Sequence, residues 1–359
     1  MSEKTALIAM SGGVDSSVAA YLMQRSGYRC IGGTMQMCNA NILGQPQDSS
    51  FSDNITDAEC IAHRLGMDFY VFDSTAVFQK QVIDKFVRCY EEGSTPNPCV
   101  DCNRHLKFEY LLQRALDLGC DRIATGHYAQ VRYDPHTERY LLYKAADKAK
   151  DQSYFLACLS QYQLAHIEFP LGALTKELVR AIAEEQGFLN AKKRDSQDIC
   201  FIPDGDHEAF LRRYTGKEYP CGDFIDFQGN ILGKHKGAVG YTIGQRKGLG
   251  LAAGVPVYVQ SKDMAANTVT VGPNEALFHK VLRANDWNWF PFPQLDAPLT
   301  AKARIRYRHT EQPAVVFPEA DGTARVEFAE PQRAITPGQS VVLYDGDQVI
   351  GGGTITEVL

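Results

Sequence analysis

The sequence predicts an α/β domain built on a parallel sheet, followed by two small β domains, the last of them a β-barrel. Three observations predict it. Up to about Pro203, apolar runs of strand length alternate with segments of helical spacing, and a βαβα order gives parallel strands with helices on both faces. After about Gly205 the chain turns to short alternating runs with Gly and Pro between them. Two Asp-Gly pairs, Asp321-Gly322 and Asp345-Gly346, sit between such runs as hairpin turns. The expected domains are 1–204, 205–275 and 276–359, since a chain of 359 residues is long for one domain.

Each element has its own signal. Thr5 to Met10 is a short apolar run that reads as a buried strand, and Val18 to Gln24 reads as a helix stopped by Gly27. Arg29 to Met37 is a second strand. The polar stretch from Met37 to Asp57 has little periodicity and reads as a mobile loop near the site. A helix over Asp57 to Gly66 and a strand over Asp68 to Asp73 follow. Thr75 to Glu92 carries Val77, Phe78, Val82, Phe86 and Tyr90 at helical spacing. Leu106 to Leu118 is a helix ended by Gly119, and Arg122 to Val131 a further strand. In the β half, one short helix is expected at Glu208 to Tyr214. Ala314–Phe317 should pair with Ala324–Phe328, and Ser340–Tyr344 with Gln348–Ile350. Ligands of parallel sheets sit beyond the carboxyl ends of the strands. Ser11–Ser17 and Thr125–Tyr128 both fall there.

Composition narrows the class. Hydrophobic content of 44% and charged content of 22% are ordinary for a soluble globular protein. No stretch is apolar enough to span a membrane, and the start of the chain does not read as a signal peptide. A cytoplasmic protein without a membrane partner is expected, its ten cysteines mostly reduced. Cys30, Cys60, Cys89, Cys120 and Cys158 lie in periodic segments and read as packing. The net charge of −6 argues against non-specific polyanion binding, but local basic clusters leave a nucleic-acid partner open.

The first chemical motif is Ser11-Gly12-Gly13-Val14-Asp15-Ser16-Ser17, between a strand and a helix. Such a junction aims backbone N–H groups and the positive end of the helix dipole at one spot, and two glycines let a phosphate approach. A carboxylate there, Asp15, suits a Mg²⁺ that accompanies the phosphates. The Gly-Lys-Ser/Thr ending of the common P-loop is missing. The loop resembles that of ATP pyrophosphatases, which cut ATP between the α- and β-phosphates.

Two further stretches hold thiols in polar or proline-rich surroundings: Thr95–Asn103, with Cys99 and Cys102, and Asp195–Pro203, with Cys200. Asn103 is expected to cap the following helix, which would set Cys102 at a helix N-terminus and lower its pKa. The Cys-x-x-Cys pair fits half of a zinc site completed by His105 or Cys200, a redox pair, or an iron–sulfur site with Cys200. Basic residues gather at Lys144, Lys148 and Lys150, at Lys192-Lys193-Arg194, at Arg212-Arg213, at Lys234-His235-Lys236 and at Arg246-Lys247. Arg304, Arg306 and Arg308 alternate along an expected strand and would share one face. Such clusters over three domains, with aromatics among them, suit an RNA backbone.

Taken in order, SGGVDSS (11–17), TPNPCVDCN (95–103), ATGHY (124–128), KDQSYFL (150–156), DSQDICFIPDGD (195–206), TIGQRKGLG (242–250), RYRH (306–309) and EPQRAITPGQ (330–339) resemble the tRNA-specific 2-thiouridylases of the MnmA/TrmU type over almost the whole chain. The resemblance implies a Rossmann-like PP-loop ATP-pyrophosphatase domain. It implies ATP-dependent adenylation of the wobble-uridine C2 oxygen and displacement of AMP by a persulfide sulfur. It implies ATP with Mg²⁺ at Ala9, Met10, Ser11, Gly12, Gly13, Val14, Asp15, Ser16, Met35 and Gly126. Cys102 matches the nucleophile and Cys200 the persulfide carrier. Asn97, Pro98 and Cys99 would face the base, and His127, Lys150, Asp151, Gln152, Arg306, Tyr307 and Gln339 would contact tRNA. A sulfur donor, a cysteine desulfurase or a sulfur relay protein, would be the second partner.

Many members of the family have Asp where this chain has Cys99. The substitution supplies a third thiol, and Cys99, Cys102 and Cys200 are expected to converge beside the ATP crevice, either on a persulfide route or as ligands of a [4Fe-4S] cluster, with the third cysteine favouring the cluster. The competing readings are another adenylating enzyme with the same loop, such as an amide-forming synthetase, and a non-catalytic RNA-binding protein with a structural metal.

Overall fold

The computed structural model describes residues 4–38, 49–193, 199–252 and 254–359. A five-stranded sheet runs in the order β3-β2-β1-β4-β7, made of β1 (Thr5–Ala9), β2 (Arg29–Gln36), β3 (Phe69–Asp73), β4 (Arg122–Thr125) and β7 (Ile167–Glu168). All its pairings are parallel. Both faces of β1 are covered: Ile8 packs with Val18 and Ala19 of α1 (Val14–Arg25), Leu7 with Phe108, Leu111 and Ile123. Leu7 and Ile8 are fully buried, each contributing about 1.5–3 kcal/mol. This fixes where β1 ends, and so where the glycine loop begins.

Three sequence expectations change here. The helix expected from Asp57 begins at Ser49 and ends at Arg64 (α2). Ala58, Ile61 and Ala62 make its buried stripe, and polar residues ahead of them hid its first turns. Residues 39–48 of the expected loop lie outside the described residues. The helix expected from Leu106 begins at Pro98, with Asn97 at the cap position and proline in the first turn, where its missing N–H costs nothing. It runs to Asp117 as α4 (residues 98–117), with a π-helical stretch, Cys102–Tyr110, in its middle. The strand expected over Arg122 to Val131 splits at Gly126–Tyr128. There the chain leaves the parallel sheet, and β5 (Ala129–Asp134) pairs with β6 (Arg139–Lys144) as a hairpin.

The helix over Thr75 to Glu92 is present as α3 (residues 75–91), also with a π-helical insert, Gln79–Ile83. After α5 (Lys176–Glu185) and α6 (His207–Thr215), β8 (Gly222–Ile225), β9 (Ile231–His235), β10 (Tyr258–Asp263) and β11 (Thr268–Gly272) form a four-stranded sheet. The C-terminal strands are β12 (Phe278–Trp289), β13 (Leu299–Arg304), β14 (Gln312–Pro318), β15 (Ala324–Arg333), β16 (Ser340–Asp345) and β17 (Gln348–Val358). Their sheet closes into a barrel through β12–β17. Both expected hairpins form. The β5–β6 hairpin joins this sheet at β17, and the N-terminal segment so reaches the barrel. β13 stops at Arg304. Arg306 and Arg308 lie in a turn that the His309 N–H closes onto the Arg306 carbonyl at 3.0 Å, so the three arginines do not share a strand face.

Candidate active site

One cleft of about 1980 Å³ opens beyond the carboxyl ends of β1, β2 and β4. The glycine loop is its first wall. Gly13 stands at the N-cap of α1 with φ −92° and ψ 163°. The Ser16 and Ser17 hydroxyls both donate to the Gly13 carbonyl at 3.0 Å, and the Ser11 N–H donates to Ser16 Oγ at 3.2 Å. From behind, Asn190 Nδ2 and Lys193 Nζ hold the Gly12 carbonyl at 3.1 and 3.4 Å. Gly12 itself has φ +70°, and a Cβ there would meet the Asn54 carbonyl oxygen at 2.4 Å. Gly126 packs so closely on α1 that its Cβ would lie 2.7 Å from the Asp15 carbonyl carbon.

The second wall carries the thiols. Cys99, Cys102 and Cys200 all line the cleft, with Cys38 beside them. Cys38 and Cys102 are buried in an apolar cluster with Phe78, Val82 and Phe201. Phe201 packs edge-on against Phe78 and Phe86, at 5.6 and 5.3 Å, which pins the segment carrying Cys200 onto α3. Cys99 and Cys200 expose surface to the cleft but have protein on their other sides. Burial pushes all four thiols up, Cys38 to about 12, and neighbouring thiols add to the effect at Cys38, Cys102 and Cys200. The Lys107 ammonium opposes it at Cys99, Cys102 and Cys200. The same ammonium lies 3.4 Å from His127 Nε2, while His127 Nδ1 meets Thr125 Oγ1 at 2.7 Å. Burial first, and Lys107 second, hold His127 well below the usual imidazole range, so it is neutral.

The third wall is basic and comes from the barrel. Arg306 donates to the Arg333 carbonyl at 3.0 Å, and Tyr307 packs on Phe155 with centroids 4.5 Å apart. Arg304 and Lys144 share Glu311, at 3.1 and 2.5 Å. Gln339 donates to the Thr95 and Pro96 carbonyls at 2.9 and 3.1 Å, which ties the barrel to the strap that leads into Cys99.

Three family models match in series: a tRNA methyl transferase HUP domain over residues 4–204, a tRNA methyl transferase PRC-barrel domain over 208–273, and an aminomethyltransferase beta-barrel domain over 279–355. A tRNA-specific 2-thiouridylase MnmA of Acetivibrio thermocellus is 48% identical over 99% of this chain and 100% of its own. That of Clostridioides difficile is 46% identical over 99% of each. The chain belongs to the MnmA family of tRNA-specific 2-thiouridylases. Of the residues the MnmA resemblance assigned, Ala9, Met10, Ser11, Gly13, Val14, Asp15, Ser16, Met35, Gly126, Pro98, Cys99, Cys102, Cys200, His127, Lys150, Asp151, Gln152, Arg306, Tyr307 and Gln339 line the cleft, while Gly12 and Asn97 do not.

Several assignments take a different form from that expected. Cys102 is one turn inside α4, and Asn103 caps nothing: its Nδ2 donates to the Phe155 carbonyl at 3.1 Å. Burial, not a helix N-terminus, dominates the Cys102 thiol and raises its pKa. His105 pairs with Glu109 at 2.9 Å and is no partner of the cysteines. Among the described residues no three His, Cys, Asp or Glu side chains are arranged to hold a metal ion. The cluster expectation finds no support in this geometry. Asp151 is buried, with its carboxylate taken up by the Ala145 and Ser153 N–H groups and the Ser153 hydroxyl. Cys60, read as packing, is exposed. Asp195–Asp198 and Arg194 lie outside the described residues.

Sequence reasoning missed Cys38 and Lys107. Cys38 stands two residues past the end of β2, so the rule that ligands sit at strand carboxyl ends pointed to it. Lys107 had no such signal. At α-helical pitch the fifth residue after Cys102 faces elsewhere, and the wider π turn swings it toward the thiols.

Proposed function

We propose that this chain is a tRNA 2-thiouridylase, acting in the cytoplasm on the wobble uridine of a tRNA anticodon loop. One observation carries the reading: the phosphate-type loop, the thiols of Cys99, Cys102 and Cys200, and the basic barrel wall all face one cleft. The family models are described by methyl transfer, whereas the full-length relatives are named thiouridylases, and thiols beside a phosphate loop suit the second chemistry.

Uracil O2 attacks the α-phosphorus of ATP, pyrophosphate leaves, and the poor leaving group at C2 becomes AMP. The terminal sulfur of a persulfide on Cys200 then attacks C2 and AMP departs, leaving a Cys200–S–S–C2 adduct. The Cys102 thiolate attacks Cys200 Sγ, the S–S bond breaks, and the products are 2-thiouridine and a Cys102–Cys200 disulfide. A dithiol reduces that disulfide, and a cysteine desulfurase or sulfur relay protein reloads Cys200. Lys107 stabilises the thiolates as they form. An unpaired loop base is one that a protein can splay out of its stack into such a cleft.

The test is pyrophosphate release and nucleoside mass spectrometry with the full chain, ATP, a persulfide donor and unmodified tRNA. Release that depends on tRNA, with 2-thiouridine formed and lost in Cys200→Ser, is expected. Release that depends on a small carboxylic acid instead would make the chain an amide-forming synthetase.

A further inference from the structure

The sequence suggested a metal as the partner of Asp15, and the fold supplies a lysine. Lys176, the first residue of α5, places Nζ 2.8 Å from both Asp15 oxygens, and the Tyr128 hydroxyl donates to Oδ1 at 2.9 Å. Lys176 is buried, and its own N–H donates to Asp147 at 3.0 Å. A carboxylate offers about four lone-pair directions, and three are used here. Mg²⁺ requires near-ideal octahedral geometry with oxygen ligands. Bound to this carboxylate, it would sit beside the ammonium of the buried Lys176, which already occupies both carboxylate oxygens. The donor set at Asp15 therefore does not fit the ion.

What the contacts do fit is a clamp. Asp15 is in the first turn of α1, Tyr128 follows the Gly126 turn that presses on α1, and Lys176 opens α5. Two segments that line the cleft, and α5 behind them, meet at one carboxylate.

We propose that Asp15, half-buried at the edge of the cleft, and the buried Lys176 are a positioning pair that holds the glycine loop in its phosphate-binding shape, and that the Mg²⁺ arriving with ATP is not held by Asp15. The inference rests on the reading that ATP binds at this loop. Removing the Asp15 charge strands the buried Lys176 ammonium, removing the Lys176 charge leaves the Asp15 carboxylate facing the phosphates unpaired, and removing both leaves no orphan.

The experiment measures binding of a non-hydrolysable ATP analogue to the full chain by calorimetry, once with Mg²⁺ and once with EDTA, for wild type, Asp15→Asn, Lys176→Met and the double variant. Each single variant is expected to weaken binding at least tenfold, by the same factor in both buffers, and the double variant to return to within about threefold of wild type. Electron paramagnetic resonance with Mn²⁺, at analogue concentrations that saturate each variant, should give the same bound-metal signal in Asp15→Asn as in wild type. A metal-ligand role would show the opposite pattern: Asp15→Asn losing only the Mg²⁺-dependent affinity and its Mn²⁺ signal, with Lys176→Met unaffected. Either that pattern or a double variant no better than the weaker single overturns the proposal. Where Lys176→Met does not fold, Lys176→Arg takes its place and should keep binding that is equal to wild type in both buffers; a loss there confined to Mg²⁺ buffer counts against the pair. Wild-type binding without tRNA-dependent pyrophosphate release would sink the proposed function and leave the pair intact.

Discussion

Two adjacent glycines in the loop should fail for different reasons when given a methyl group. Gly12 lies in the left-handed region, and its Cβ would meet a backbone oxygen at 2.4 Å. The conformation costs an alanine about 1–2 kcal/mol and the overlap about 1–3 kcal/mol, so Gly12→Ala should lose about 2–5 kcal/mol. For a domain of this size that is a fall in melting temperature on the order of 10 °C. Gly13 has an extended backbone open to alanine, and its Cβ would meet only Ser11 Oγ, at 3.4 Å. Alanine is a poor N-cap, so Gly13→Ala should cost about 1 kcal/mol and a few degrees at most. Its methyl group would stand where a phosphate must approach the N–H groups of α1, and nucleotide affinity should fall about 10–100-fold, or about 1.4–2.7 kcal/mol. Thermal melting and calorimetric titration with an ATP analogue read the two effects apart. A Gly13→Ala variant that binds the analogue as wild type does would refute phosphate binding over Gly13. A Gly12→Ala variant with an unchanged melting temperature would refute the steric argument.

Three other expectations follow from the site. In the free protein, exposed Cys60 and Cys221 should be alkylated by iodoacetamide at pH 8 well before Cys38 and Cys102, which are buried and whose thiols burial holds protonated; mass spectrometry of timed samples gives the order, and fast labelling of Cys102 would contradict it. His127 is neutral in the fold because its pKa lies below that of the unfolded chain, so the unfolded state binds the extra proton and stability falls as pH drops below about 6.5, by up to about 1.4 kcal/mol per pH unit. His127→Gln should flatten that slope in urea midpoints between pH 7 and 5.5, and an unchanged slope would mean the imidazole is charged in the fold. Arg306→Ala should weaken tRNA binding and reduce the slope of log affinity against log salt by about 1, as for one lost phosphate contact, whereas a wild-type slope would place the RNA elsewhere.

The fold was legible where the chain obeys one period at a time. The β1–loop–α1 unit, the parallel order and both Asp-Gly hairpins follow from local pattern, because each buries its own apolar stripe. The exceptions are places where a segment answers to two partners. The run from Arg122 to Val131 has the composition of one strand. Gly126 must pack against Asp15 and Ser16, and the chain beyond it is claimed by β6 and the barrel, so the strand breaks. The arginines at 304, 306 and 308 alternate as a strand would, yet Arg304 is held by Glu311 and the chain then turns. Neither competition is written in the local sequence.

At the site, the residue types were legible and their environment was not. Polar and proline neighbours argued against packing roles for Cys99, Cys102 and Cys200, and an expected helix N-terminus made Cys102 an acidic thiol. Those neighbours point elsewhere: Asp101 pairs with Lys85, Asn103 reaches Phe155, and Cys102 is left with Phe78, Val82 and Phe201. A cleft that keeps its sulfur atoms protonated is poorly suited to random oxidation or alkylation, and it needs help to make a nucleophile. Among these helix residues that help comes from Lys107, whose placement depends on a π turn that no apolar pattern announces. The lysine is 3.4 Å from a neutral histidine, which takes no share of the positive charge. Its charge is therefore available to whichever sulfur becomes anionic. The proposed route puts negative charge first on the outer sulfur of a Cys200 persulfide and then on the Cys102 thiolate, and Lys107 acts on both residues.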